Sequence, residues 1–98
     1  MLFLNSGYLI FMEQTFKEIL ASFKKNGMRI TVQRKRLLAL ILKSPGMSPK
    51  ELFYSAHKAD SSIGRATVYR MVNSLQELGY IQRQHVTIEP QLRMQRSS

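Results

Sequence analysis

Cysteine is absent from the 98 residues, which excludes disulfides and thiolate-ligated zinc and fits a reducing cytoplasm. Acids are scarce: six Asp and Glu stand against fifteen Lys and Arg, leaving a net charge of +9. Six scattered carboxylates form no acid/base pair. No glycine-rich loop cradles a phosphate, and no serine sits in a nucleophile motif, so the chain is not read as an enzyme. With only His57 and His85 available, far apart and without a carboxylate set around either, no metal site and no cofactor are expected. A membrane span is missing too. The apolar stretch from Met1-Leu2-Phe3-Leu4 to Tyr8-Leu9-Ile10-Phe11 carries no leading cation and falls short of the ~20 residues that cross a bilayer.

What is present is positive charge in one place. Between Glu18 and Glu51 stand eight cations (Lys24, Lys25, Arg29, Arg34, Lys35, Arg36, Lys43 and Lys50) and no acid. Such a field attracts a polyanion, nucleic acid first and an anionic membrane second, although a generically basic surface has the same composition. The length allows one small domain with tails. We divide it into an apolar N-terminal extension over 1–12, a domain over 13–94 and a frayed tail over 95–98, with Met12 as an alternative start.

Periodicity predicts four helices. Phe16, Ile19, Leu20 and Phe23 make the stripe of a helix from Glu13 to Asn26, closed by Gly27. Thr31 can cap a second helix, where Leu37 to Leu42 is apolar without a break, the mark of a helix buried on most sides. Ser44-Pro45-Gly46 stops it. Ser48-Pro49-Lys50-Glu51 combines an N-cap, a proline at the first helical position and a capping-box glutamate, so a third helix starts there. The fourth runs from Gly64 or Arg65 to Leu78 and ends at Gly79. Tyr80 to Val86 reads as a strand, and Leu92-Arg93-Met94 as its returning partner after Pro90. The sum is a mainly α fold: a winged helix-turn-helix of about four helices plus a short terminal β-hairpin. A four-helix bundle with a tail is the competing architecture.

The fourth helix carries the chemistry. At 100° per residue, Val68, Met71, Val72, Leu75 and Leu78 share one stripe. Ala66, Arg70, Asn73 and Glu77 lie opposite, with Tyr69 on the flank. A small residue, a cation, an amide and a phenol therefore face outward over the first two turns. These groups suit a DNA major groove, where Arg reads guanine, Asn reads adenine and apolar surface meets the thymine methyl.

Two stretches resemble the ferric uptake regulator family. Gly27-Met28-Arg29-Ile30-Thr31-Val32-Gln33-Arg34 is similar to that family's G-L-R-x-T-x-Q-R segment, and Ala59 to Arg70 to its recognition segment, followed by matching Asn73, Leu75 and Leu78-Gly79. The likeness covers roughly residues 16–83. It implies a dimeric bacterial repressor that binds A/T-rich palindromic operators when loaded with a divalent metal. It further implies that Tyr69 and Arg70 meet bases and phosphates, that Arg29 reaches a minor groove, and that Arg65 and Thr67 contact phosphate or the helix start. The family's dimerisation domain, with its His-rich motif, has no counterpart here, and the turn that often supplies a His ligand reads Pro45-Gly46-Met47-Ser48. The expectation is a metal-independent, cytoplasmic DNA-binding regulator, monomeric or weakly dimeric. A protein-interaction module pairing with a full-length regulator is the alternative, and a peripheral membrane peptide a third.

Overall fold

The computed structural model describes residues 2–81 and 86–88; the side chains of residues 2–6 and 8 lie outside that description. Four helices follow one another: α1 (Leu2–Lys25), α2 (Val32–Lys43), α3 (Pro49–Ala59) and α4 (Arg65–Glu77). The chain forms two compact units, residues 1–31 and residues 32–98.

The first unit is essentially α1. It begins at Leu2 rather than at Glu13, so residues 2–12 continue the helix without a break. The reason is physical: this stretch has no proline and a single glycine, and adding a turn to an existing helix is cheap compared with nucleating one. Leu9, Ile10 and Phe11 stay exposed. Farther along, Thr15, Ile19 and Phe23 are buried at four-residue spacing, while Phe16 and Leu20 are half-buried. The helix ends in a Schellman motif. Gly27 takes φ 75°, the Met28 N–H donates to the Phe23 carbonyl (2.9 Å), and the Gly27 N–H donates to Lys24 (3.1 Å). Lys24 and Lys25 lie in this last turn, where a cation offsets the negative end of the helix dipole.

In the second unit α2, α3 and α4 pack against one another in every pairing. The core joins Leu37, Leu38 and Ile41 of α2, Leu52 and Ala56 of α3, and Val68, Met71 and Leu75 of α4. Each of the larger side chains in this set stabilises the fold by about 1.5–3 kcal/mol on leaving water. Ile63, just before α4, and Tyr80, Ile81, Val86 and Ile88 after it complete the apolar interior. The expected burial of α2 on most sides is met in part. Leu37, Leu38, Ile41 and Leu42 are buried, but Ala39 and Leu40 line an open groove with Ala56, Ala59 and Ile63.

Helix α3 starts as its sequence dictates. The Ser48 hydroxyl accepts from the Glu51 N–H (3.1 Å), the Glu51 carboxylate accepts from the Ser48 N–H (2.9 Å), and Pro49 occupies the first turn. Helix α4 closes in a second Schellman motif. Gly79 has φ 84°, with Tyr80 N–H donating to Leu75 (2.9 Å) and Gly79 N–H to Gln76 (3.0 Å).

The strand expected over Tyr80–Val86 is not formed at its start. Tyr80 and Ile81 are bends, and both are buried. Adjacent strand residues point to opposite faces, so two consecutive buried side chains suit a turn that tucks the chain under α4. Among the described residues the only β pairing is an isolated antiparallel bridge between Met47 and Val86. There the Val86 N–H donates to the Met47 carbonyl (2.8 Å) and the Gly46 N–H to Val86 (3.3 Å). The returning strand expected at 92–94, and the tail over 95–98, lie outside the described residues. The described chain is mainly α.

Candidate nucleic-acid interface

Helix α4 divides its residues as the 100° projection requires. Val68, Met71, Val72 and Leu75 are buried; Arg65, Ala66, Tyr69, Arg70, Asn73 and Glu77 are exposed; Thr67 is half-buried. Tyr69 keeps 43% of its surface exposed. From Ala66 to Asn73 the outward row spans about 10 Å, commensurate with a major groove about 12 Å wide. Its electrostatics have one sign. No acid occurs in the first turn, and the N-cap Gly64 contributes no side-chain hydrogen bond. The positive end of the helix dipole thus adds to Arg65 and Arg70.

The structure brings Arg65, Thr67, Tyr69, Arg70 and Asn73 together on this one helix. Arg29, the remaining site residue expected from the sequence, belongs to the other unit. It is exposed in the segment that follows α1.

Residues outside α4 fix where it starts. The Gln33 side-chain amide of α2 donates to the Ser62 carbonyl (3.2 Å) and hydroxyl (3.1 Å). Asp60 accepts from the Ser62 N–H (3.0 Å) and Ser62 hydroxyl (2.6 Å), and its other oxygen pairs with the Arg36 guanidinium. Arg36, one of the eight cations between Glu18 and Glu51, thus has a carboxylate partner while remaining largely exposed. Asp60-Ser61-Ser62 is a side-chain-closed turn, the local signal that could have shown the buttress from sequence. From α3, Phe53 and His57 approach the same place. The Arg65 guanidinium carbon lies 5.1 Å from the Phe53 ring centroid, the Phe53 and His57 rings stack at 5.2 Å and 29°, and His57 Nδ1 is 3.0 Å from the Ile63 carbonyl.

The Ser62 hydroxyl, the Ser62 N–H and then Arg36 hold the Asp60 carboxyl below its ordinary value of 3.8. A carboxylate whose pKa is lowered by folding stabilises the native state above its unfolded value, and that contribution disappears as the pH falls through the lowered one. Asp60→Asn is therefore expected to lower the melting temperature near neutrality and to narrow the gap to the parent below about pH 4. Thermal melts from pH 3 to 7 check this; a constant gap across the range would remove Asp60 from the acid response.

Among the described residues no three of His, Cys, Asp and Glu come together as metal ligands, and no helix is long and apolar enough to cross a membrane.

Comparison with known proteins places the chain in a family. The family model described as the Ferric uptake regulator family matches residues 25–95, a span that includes α2, α3 and α4. The Ferric uptake regulation proteins of two Helicobacter pylori strains are each 28% identical over 71 residues, covering 71% of this chain and 47% of theirs. The chain spans about half the length of the curated relatives it matches.

Proposed function

The chain belongs to the ferric uptake regulator family, and on that premise we propose that it binds duplex DNA sequence-selectively as a repressor-like transcriptional regulator, with α4 in the major groove. The observation that carries this reading is the outward face of α4: Tyr69, Arg70 and Asn73 exposed in consecutive turns, with the only outward acid, Glu77, at the far end. Arg and Asn are the side chains that make paired hydrogen bonds to guanine and adenine edges. Tyr69 offers a ring to thymine methyls and a hydroxyl to the backbone. Arg65, Thr67 and Arg29 act on phosphate or an adjacent minor groove. Most of the affinity comes from cations displacing counterions, and the selectivity from Tyr69 and Arg70.

Helices α3 and α4 serve as the helix-turn-helix, and the chain around the Met47–Val86 bridge begins the wing. One α4 reads one half-site, so an A/T-rich palindrome takes two copies, which bind as monomers or a weak dimer.

Amide chemical-shift mapping with an A/T-rich duplex tests the assignment. The largest shifts are expected over residues 65–73, with smaller ones over 24–36. Shifts confined to 7–11, the exposed apolar turns of α1, would instead point to a protein-interaction module.

A further inference from the structure

We propose that Phe53 and His57 of α3 form an aromatic platform that holds the Arg65 guanidinium in place for a DNA phosphate. The supporting helix then sets backbone affinity, while α4 sets base preference. The proposal rests on the DNA-binding reading above and adds two positioning residues to it.

Two pairwise contacts meet at the Phe53 ring, one with His57 and one with Arg65. Phe53 and His57 stand four residues apart on α3, the spacing that places side chains on one face. Their ring centroids are 5.2 Å apart with the planes inclined by 29°, a stacked pair, and Tyr54 meets the Phe53 ring tilted, at 5.4 Å and 55°. On Phe53 rests the Arg65 guanidinium, 5.1 Å from the centroid, inside the roughly 6 Å within which a cation is attracted to a ring face. His57 does not float. A carbonyl can only accept, so Nδ1 carries the proton and donates to Ile63, the residue before the N-cap Gly64. The platform is tied to the loop that launches α4.

Arginine is rich in rotamers, and ordering it on binding costs affinity. A guanidinium already laid on a ring has part of that ordering done before DNA arrives. Stacking uses the π face and leaves the N–H fork at the edge free for two phosphate oxygens. Position favours phosphate over base. Arg65 is the first residue of α4 and is drawn back onto α3, whereas Tyr69, Arg70 and Asn73 lie farther along the outward row. Loss of the platform should therefore weaken specific and random duplexes alike.

The test uses the full chain with Phe53→Leu, Phe53→Tyr, Arg65→Lys, Arg65→Ala and the Phe53→Leu/Arg65→Ala double variant. Binding is measured on an A/T-rich palindrome and its scramble across a salt series. Phe53→Leu should lose about two- to tenfold on both duplexes, with their ratio unchanged, and Phe53→Tyr should restore it. Arg65→Lys, which keeps the charge but loses the planar stack, should fall as Phe53→Leu does. The double variant should bind no worse than Arg65→Ala alone. Full affinity in Arg65→Lys, or multiplicative losses in the double variant, would overturn the platform. NMR of the unbound chain separates the two claims: Arg65 side-chain protons should show a ring-current shift that Phe53→Leu abolishes. A shift that vanishes in a protein indifferent to both duplexes leaves the stack standing and sinks the phosphate role with the DNA reading. A shift unchanged in Phe53→Leu sinks the stack itself.

Discussion

Replacing Arg70 with alanine is expected to weaken binding to a specific duplex by about 1–3 kcal/mol and to bring specific and random affinities closer together. Arg70 is exposed in the second turn of α4, opposite the buried Val68, Met71, Val72 and Leu75. Its removal leaves the core untouched, so the melting temperature should hold. A bidentate contact to a guanine exists only when the right base sits opposite, and its loss is felt only there. A phosphate contact exists on any sequence. Equal losses on both duplexes would therefore return Arg70 to the electrostatic surface and leave Tyr69 and Asn73 to account for selectivity.

The Leu75→Ala variant should show the largest stability loss, about 2–5 kcal/mol in urea or thermal unfolding. Leu75 is fully buried on the inner face of α4, and its carbonyl accepts the Tyr80 N–H that closes the helix. Truncation opens a cavity where α4 meets its neighbours, in a domain whose whole stability is on the order of 5–15 kcal/mol. The two variants fail in opposite ways. Arg70→Ala folds and discriminates poorly; Leu75→Ala discriminates normally in its folded fraction, and that fraction is smaller. A Leu75→Ala loss below about 1 kcal/mol would mean that this stretch of α4 is less tightly packed than its burial indicates.

Several features are legible in the sequence because they depend on neighbours a few residues away. Ser48-Pro49-Lys50-Glu51 specifies the α3 start through bonds that span three residues, and both of them form. The α4 stripe follows from helical geometry, and the buried and exposed sets separate as projected, with Leu78 half-buried as the C-cap. Gly27 and Gly79 end their helices because each takes the positive φ that other residues resist. The features that escape are the long-range ones. Gln33 reaches Ser62 across twenty-nine positions and Arg36 reaches Asp60 across twenty-four. Nothing in local spacing tells a cation awaiting a polyanion from one already paired. The start of α1 escapes for another reason. The composition change at Met12 suggests a boundary, but helix propagation responds to breakers, and residues 2–12 hold only Gly7. The early strand fails because alternation over Tyr80 to Val86 is weak and both Tyr80 and Ile81 are drawn inside.

Fluorescence anisotropy of the chain with an A/T-rich palindrome and with a scrambled duplex, over a salt series, tests selective DNA binding most directly. The expected result is tighter binding to the palindrome, a steep loss of affinity with salt on both duplexes, and loss of the preference in Tyr69→Ala. Equal weak binding to both duplexes, unchanged by Tyr69→Ala, would contradict it and leave the α4 face as no more than a basic surface.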